Sequence, residues 1–299
     1  MSEKYQGVIP AFYACYGEDG EISVDRVKAL ASHLLEKKVS GVYVGGSSGE
    51  CIYQSVAERK AVLEAVMSVA KGKMTVIAHV ACNNTKDSQE LAKHAESQGV
   101  DAIASIPPIY FKLPELAIAK YWNDISAAAP NTDFIMYNIP QLAGVSLSVP
   151  LLKEMKKNPR VIGVKNSSMP TQDIQMWKDE GVIVFNGPDE QWISGLAMGA
   201  IGAIGGTHAV MPELFIAVEK EVLSGNLKKA QDIQNEICRI IYLMCSGKAN
   251  LYAIMKEILR LNGLDIGSVR APLTPLQDGD PEIAQKSKEQ IAEAIKKYC

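Results

Sequence analysis

A lysine at the end of an apolar segment is the first residue of this sequence that could do chemistry. In VIGVKNSS, residues 161–168, Lys165 follows a run of apolar and glycine residues. A buried ammonium group without a partner is costly, so it normally pairs with an anion or loses its proton. A neutral lysine amine can form a Schiff base with a carbonyl substrate. The competing interpretation is a surface lysine just past a strand end.

The glycine- and serine-rich segment GGSSGE, residues 45–50, could bind an anion. Glycine lets the backbone approach a ligand closely, and successive N–H groups can form an anion-binding nest. The hydroxyls of Ser47 and Ser48 would add donors, so the segment suits the carboxylate of a 2-oxo acid. A plain turn is the alternative. We expect Glu50 to hold this loop in place rather than to act as a base.

Three further polar residues follow predicted strands. Tyr137 ends the strand before the one that carries Lys165, and its hydroxyl could move protons at the reacting carbon. A rim tyrosine with a packed ring is the alternative. Asp189 and Glu190 could accept hydrogen bonds from substrate hydroxyls, or they could begin a helix, where the dipole favours acidic residues.

The spacing of the histidines gives little support to a metal site. Of the four histidines, His79 and His208 fall at predicted strand ends, and no H-x-H or H-E-x-x-H pattern occurs. With Glu50 or Asp189 they could in principle assemble a site for a divalent cation. We expect ordinary rim histidines and no metal.

Eight short apolar segments alternate with amphipathic helical segments. This alternation predicts a parallel sheet whose strands are buried on both faces. Eight units in about 225 residues fit a closed (β/α)8 barrel better than an open sheet. An open sheet usually has a G-x-G-x-x-G turn after its first strand, and the segment after the first predicted strand does not match that pattern. The active site of such a barrel lies at the carboxyl ends of the strands, where the polar residues above fall. The predicted strands are 7–14, 41–46, 74–80, 101–107, 133–139, 161–166, 181–187 and 200–206.

Beyond the predicted barrel, the pattern is helical to the end of the sequence. We therefore predict a barrel domain over residues 1–224 and a C-terminal extension of three helices over residues 225–299, packed on the barrel.

Helix-start signals support these boundaries. Ser55 with Glu58 fits a capping box, and Ser23 suits an N-cap. Pro114 and Pro212 suit first-turn positions.

Composition places the chain among ordinary globular proteins. It has 299 residues, 47% hydrophobic and 22% charged, with a net charge of −3, so nothing favours nucleic acid or an anionic membrane as partner. The sequence has no apolar run long enough for a membrane span, and its start lacks the pattern of a signal peptide. Six cysteines without C-x-x-C spacing favour a reducing compartment. We expect a cytoplasmic protein that acts on a small molecule.

The segments GVYVGGSSGE, YNIP and GVK, taken in this order, resemble the N-acetylneuraminate lyase / dihydrodipicolinate synthase family of class I pyruvate-dependent aldolases. The resemblance extends from Gly7 into the C-terminal helices. It implies a homotetramer that needs no cofactor, in which Lys165 forms the Schiff base with pyruvate. Tyr137 would relay protons, and Ser47 and Ser48 would hold the carboxylate. Tyr110 would complete a hydroxyl relay with Ser47 and Tyr137 across a subunit contact.

The resemblance is greatest to the lyase branch of the family. The synthase branch has an arginine just after Y-N-x-P, where this sequence has Gln141 and Leu142. Asp189 and Glu190 match the acids that bind the sugar's polyol chain in the lyase branch. The implied reaction is cleavage of a hydroxylated 2-oxo acid to pyruvate and an aldehyde. N-acetylneuraminate is the first candidate for this substrate. The implied substrate-binding residues are Gly46, Ser48, Ser167, Gly187, Asp189, Glu190 and Gly206.

Two departures from the lyase pattern leave other substrates open. Ser167 stands where that branch usually has threonine, and Gly206 stands where it has a serine that contacts the polyol chain. Another 2-keto-3-deoxy sugar acid is therefore an alternative substrate, and condensation of pyruvate with an aldehyde is an alternative reaction. A metal-dependent aldolase and a non-catalytic barrel that senses a 2-oxo acid are the competing classes.

Overall fold

The computed structural model describes residues 3–299, and its sheet confirms the predicted barrel. Eight parallel strands pair in the order β1-β8-β7-β6-β5-β4-β3-β2. The ring closes where Ala11 pairs with Tyr43 and the Phe12 N–H donates to the Tyr43 carbonyl at 2.9 Å. The strands are β1 (Gly7–Pro10), β2 (Gly41–Val44), β3 (Thr75–His79), β4 (Ala102–Ser105), β5 (Asp133–Asn138), β6 (Val161–Asn166), β7 (Ile183–Asn186) and β8 (Gly202–Gly205).

Helices follow the strands and cover the outside of the barrel. Ser23 and the Ser55–Glu58 capping box begin their helices as predicted, and Pro212 occupies a first-turn position. Pro114 instead caps its helix, which begins at the next residue. The helices are α1 (Val24–Glu36), α2 (Val56–Ala70), α3 (Thr85–Gln98), α4 (Glu115–Ala128), α5 (Pro140–Ala143), α6 (Val149–Met155), α7 (Gln172–Asp179), α8 (Trp192–Ala197), α9 (Pro212–Leu223), α10 (Leu227–Cys245), α11 (Leu251–Leu261) and α12 (Asp280–Tyr298).

The strands are buried on both faces, as the continuous apolar segments predicted. One hydrophobic cluster fills the barrel interior, and a larger one lies between the strands and the helices. The interior cluster includes Ile9, Tyr43, Ile77, Ile135, Phe185 and Ile204. This packing gives the strand ends a rigid base on which to hold functional side chains.

A short 3-10 helix, Glu3–Tyr5, closes the amino end of the barrel. The Tyr5 side chain is buried and meets the Phe185 ring edge-on. Its hydroxyl donates to Asp133 Oδ2 and to the Asp101 carbonyl, both at 2.8 Å. The barrel therefore has a closed floor opposite its carboxyl rim.

The C-terminal helices contact the barrel through specific polar bonds. Gln234 of α10 donates to the Asp189 carbonyl at 3.2 Å and accepts from the Ile193 N–H at 3.0 Å. Lys256 of α11 bonds Glu50 in the loop after β2. Helices α10 and α11 thus contribute to the rim. Within residues 3–299, no helix combines the length and the apolar character that a membrane crossing requires.

Candidate active site

Lys165 is the penultimate residue of β6, and it is buried inside the rim, only 4% exposed. Its Nζ lies 4.1 Å from the ring centre of Tyr43 and 4.0 Å from that of Tyr137. Burial lowers the pKa of Lys165 from 10.5 to about 7, although the charge of Asp189 partly opposes this shift. A large fraction of the amine is therefore neutral near pH 7, the form that attacks a carbonyl carbon.

Tyr137 lies beside Lys165 because the two residues are register partners on β5 and β6. Burial raises the pKa of Tyr137 to about 12, while the Ser167 and Ser47 hydroxyls act in the opposite direction. The phenol is consequently protonated at neutral pH and can donate to a developing alkoxide or carbinolamine. This is the arrangement required for a general acid–base partner of an amine nucleophile.

A cavity of about 320 Å³ opens above Lys165 at the carboxyl ends of the strands. Most of the residues predicted from the sequence line this cavity, including those expected at both ends of a substrate. They are Ser47, Ser48, Tyr137, Lys165, Ser167, Gly187, Asp189, Glu190 and Gly206.

Glu50 anchors the serine loop, as predicted. It adopts a left-handed conformation with φ of 53°, and its carboxylate is buried. Lys256 Nζ donates to Oε1 at 2.7 Å, and the Arg270 N–H donates to Oε2 at 2.9 Å. Ser48 Oγ lies 3.4 Å from the Tyr252 hydroxyl of α11. The loop that carries the serines is thus held by two side chains of α11, Lys256 through the ion pair with Glu50 and Tyr252 beside Ser48.

This ion pair leads to a stability prediction. Lys256→Met should leave the Glu50 carboxylate buried without its counter-ion and lower the free energy of unfolding by about 3–5 kcal/mol. Denaturant unfolding measures the change. The double variant Glu50→Gln with Lys256→Met should recover much of the loss. Lys228→Met, which breaks an exposed pair with Asp232, is the matched control and should change little.

The loops after β7 and β8 form the outer part of the cavity. Asp189 Oδ2 accepts from the Thr207 N–H at 2.7 Å and from the Thr207 hydroxyl at 2.6 Å. Burial raises the pKa of Glu190 above its usual value. A Cβ on Gly187 would lie 2.1 Å from Ser167 Oγ, so only glycine fits there. Asp189, Glu190 and Ser167 line the same cavity.

Two predicted residues lie away from the cavity in this chain. Tyr110 has a φ of 87° and a side chain that is 91% exposed, and it lines a separate surface pocket. Gly46 does not line the cavity, because it packs over Tyr43: a Cβ there would lie 2.7 Å from the Tyr43 ring.

His79 has a structural environment. Its Nδ1 lies 2.9 Å from the Gly45 carbonyl, and burial lowers the pKa of His79 to about 3, so the ring is neutral. Across residues 3–299, no three side chains of histidine, cysteine, aspartate or glutamate converge to hold a metal ion.

Two site residues were missing from the sequence-based set. Tyr43 packs against the Lys165 amine, and Tyr252 lines the cavity from α11. Tyr43 lies in a predicted strand, and the period of two along GVYV could have pointed its ring inward. No local signal marks Tyr252, which reaches the site only through the packing of α11.

Comparison with known proteins is consistent with this geometry. The family model described as "Dihydrodipicolinate synthetase family" matches residues 4–295. This chain belongs to that family. Among curated members, the N-acetylneuraminate lyase of Mediterraneibacter gnavus is 62% identical over 300 aligned residues, which cover 99% of this chain and 95% of that protein.

Solved structures of family members share the fold. Wild-type Ruminococcus gnavus sialic acid aldolase is 61% identical, with a TM-score of 0.98 over 99% of this chain and 100% of that one. A catalytic lysine mutant of that aldolase superposes equally well, with a TM-score of 0.98 over 99% of each chain. Clostridium difficile CdNal in complex with mannosamine is 27% identical, with a TM-score of 0.89 over 98% of this chain and 99% of that one.

Proposed function

We propose that this protein is a class I aldolase that cleaves N-acetylneuraminate into pyruvate and N-acetylmannosamine through a Schiff base on Lys165. The observation that carries the proposal is the buried Lys165 amine, with a pKa of about 7, in contact with the Tyr137 ring at the base of the cavity. The lyase and aldolase relatives support the same reaction class.

Covalent catalysis at Lys165 accounts for the bond cleavage. The neutral amine attacks the C2 carbonyl of the open-chain sugar acid, and loss of water gives an iminium. This group withdraws electrons from the C3–C4 bond, which breaks while the C4 hydroxyl loses its proton and becomes the aldehyde. The electron pair remains as an enamine. Protonation at C3 and hydrolysis then release pyruvate and restore the amine, so no other cofactor is needed.

The neighbouring hydroxyls have separate roles in this scheme. The Tyr137 phenol, whose ring centre lies 4.0 Å from Nζ, first gives its proton to the carbinolamine hydroxyl as that group leaves as water. The resulting phenolate receives the C4 hydroxyl proton as the C3–C4 bond breaks, and the phenol then returns this proton to C3. The Ser47 and Ser48 hydroxyls hold the substrate carboxylate at the inner end. Toward the rim, Ser167 and Glu190 contact the polyol chain, in a region where Asp189 fixes the loop.

We further propose that Tyr110 acts on the neighbouring subunit of a homotetramer. Its exposed ring meets Phe111 edge-on, and the Phe111 side chain is itself exposed. Two adjacent exposed aromatic rings on a strained backbone segment fit a subunit contact. In the same scheme, residues 1–224 and 225–299 act as one catalytic unit, because α11 contributes Tyr252 to the cavity.

Trapping the intermediate tests the function directly. We expect incubation with pyruvate and borohydride to add one reduced pyruvate adduct to the intact mass, and peptide mapping to place it on Lys165. Absence of an adduct, together with cleavage that EDTA inhibits, would instead indicate the metal-dependent class of aldolase.

The pKa of Lys165 predicts how adduct formation depends on pH. With a pKa of about 7, the neutral fraction of the amine rises from about one tenth at pH 6 to about nine tenths at pH 8. The initial rate of pyruvate trapping with cyanoborohydride should therefore rise through pH 7 and level off above pH 8. A rate that still climbs tenfold per pH unit at pH 9 would show that the amine has an ordinary pKa.

A further inference from the structure

His208 and Asp189 form a buried pair just outside the catalytic centre. His208 follows β8 and is completely buried, with its ring centre 4.0 Å from that of Phe215. Its Nε2 lies 3.4 Å from Asp189 Oδ1. The two residues come from the loops after β7 and β8, which also carry Glu190 and Gly206 on the cavity wall.

Neither facing atom has another partner. Asp189 Oδ1 and His208 Nε2 are both inaccessible to solvent, and among residues 3–299 no hydrogen-bond partner satisfies either atom. An unpaired buried polar atom is costly, whereas two such atoms at 3.4 Å can satisfy each other with a small movement. Burial lowers the pKa of His208, with the charge of Asp189 opposing. We assign the single ring proton to Nε2, since a lone pair there would face a carboxylate oxygen.

Gly205 makes room for this pair. A Cβ at that position would lie 1.6 Å from Asp189 Oδ1 and 2.8 Å from His208 Nε2. Any side chain at position 205 would therefore push the carboxylate and the imidazole apart. Thr207 meanwhile holds the other carboxylate oxygen with two bonds. Asp189 is thus fixed through Oδ2 to the loop after β8, while Oδ1 faces His208 Nε2 at 3.4 Å.

We propose that His208 is a positioning residue for the sugar end of the site, where its Nε2–H fixes the Asp189 carboxylate and so joins the β7 and β8 loops that face the polyol chain. This role rests on the proposed function, because it concerns the part of the substrate that becomes the aldehyde. It does not involve the pyruvate end, where Lys165, Tyr137 and the serine loop act.

Two amide variants test the role. His208→Gln can place an amide N–H near the position of Nε2, whereas the side chain of His208→Asn is one carbon shorter and cannot. We expect His208→Asn to lower kcat/KM for N-acetylneuraminate by about 10- to 100-fold, mostly through KM, as loss of a hydrogen bond to a charged group predicts. His208→Gln should keep most of the wild-type value. Gly205→Ala should reproduce the asparagine variant.

The rate of pyruvate trapping on Lys165 separates positioning from general damage. It should stay at the wild-type level in all three variants. His94→Asn removes a histidine paired with Glu64 on the helical surface and serves as the matched control. Equal KM values for the glutamine and asparagine variants, or parallel losses of trapping and of cleavage, would overturn the proposal. Failure of the wild-type protein to cleave N-acetylneuraminate or to trap pyruvate would count against the proposed function itself.

Discussion

Lys165→Met is expected to cleave N-acetylneuraminate at least about 10⁴-fold more slowly than the wild-type protein, as loss of a catalytic nucleophile generally does. Methionine fills a similar volume between the Tyr43 and Tyr137 rings but has no amine to form an iminium. Without the iminium, no electron sink stabilises the C3 carbanion. The measurement is the steady-state release of pyruvate in a coupled assay.

Two further variants complete this experiment. Lys165→Arg keeps a positive charge but stays protonated and cannot form the Schiff base, so it should be equally inactive. Lys28→Met removes an exposed lysine and should leave the rate unchanged. Thermal unfolding should show that Lys165→Met stays folded, because removal of a buried amine also removes the cost of desolvating its charged form. Substantial cleavage by folded Lys165→Met would show that the reaction does not pass through this residue.

Tyr137→Phe is expected to reduce cleavage by about 10²- to 10⁴-fold, the usual contribution of a positioned acid–base group. The substitution keeps the aromatic ring beside Lys165 and removes only the hydroxyl, so it tests proton transfer alone. Pyruvate trapping with borohydride should still reach completion, but more slowly. Tyr242→Phe, on the exposed face of α10, is the control. Near-normal cleavage by Tyr137→Phe would assign the proton relay to another group.

The barrel could be predicted because its local signals are strong and agree with one another. Each strand is a short apolar segment, and each lies within its predicted range. The largest difference is β1, which ends at Pro10 rather than at residue 14. At Ala11 the chain changes partner: the Ala11 N–H still donates to the Gly205 carbonyl of β8 at 2.9 Å, while Ala11 and Phe12 pair with Tyr43 of β2 and close the ring. That change of partner depends on the whole barrel and leaves no mark in the local pattern.

The candidate site likewise contains residues whose position follows from local signals and residues that only the packing of the whole chain brings in. The strand-end positions of Lys165, Tyr137 and the serine loop follow from the order of the elements, which the sequence displays. Tyr252 and Lys256 reach the site from α11, more than 200 residues after the loop they contact. Helix periodicity identifies α11 but does not say which barrel loop it covers. Tyr110 points away from its own cavity, so a role in the neighbouring subunit depends on an assembly that a single chain does not contain.

The closed floor beneath the barrel determines the order in which products can depart. Tyr5 and its bonds to Asp133 and Asp101 seal the amino end, so the cavity above Lys165 is reached from the carboxyl rim. In the proposed mechanism pyruvate is attached to Lys165 at the inner end of that cavity, and the aldehyde lies between it and solvent. The aldehyde must therefore diffuse out before pyruvate can leave. In the synthetic direction the same geometry requires pyruvate to arrive first, which is an ordered kinetic mechanism imposed by the shape of the barrel.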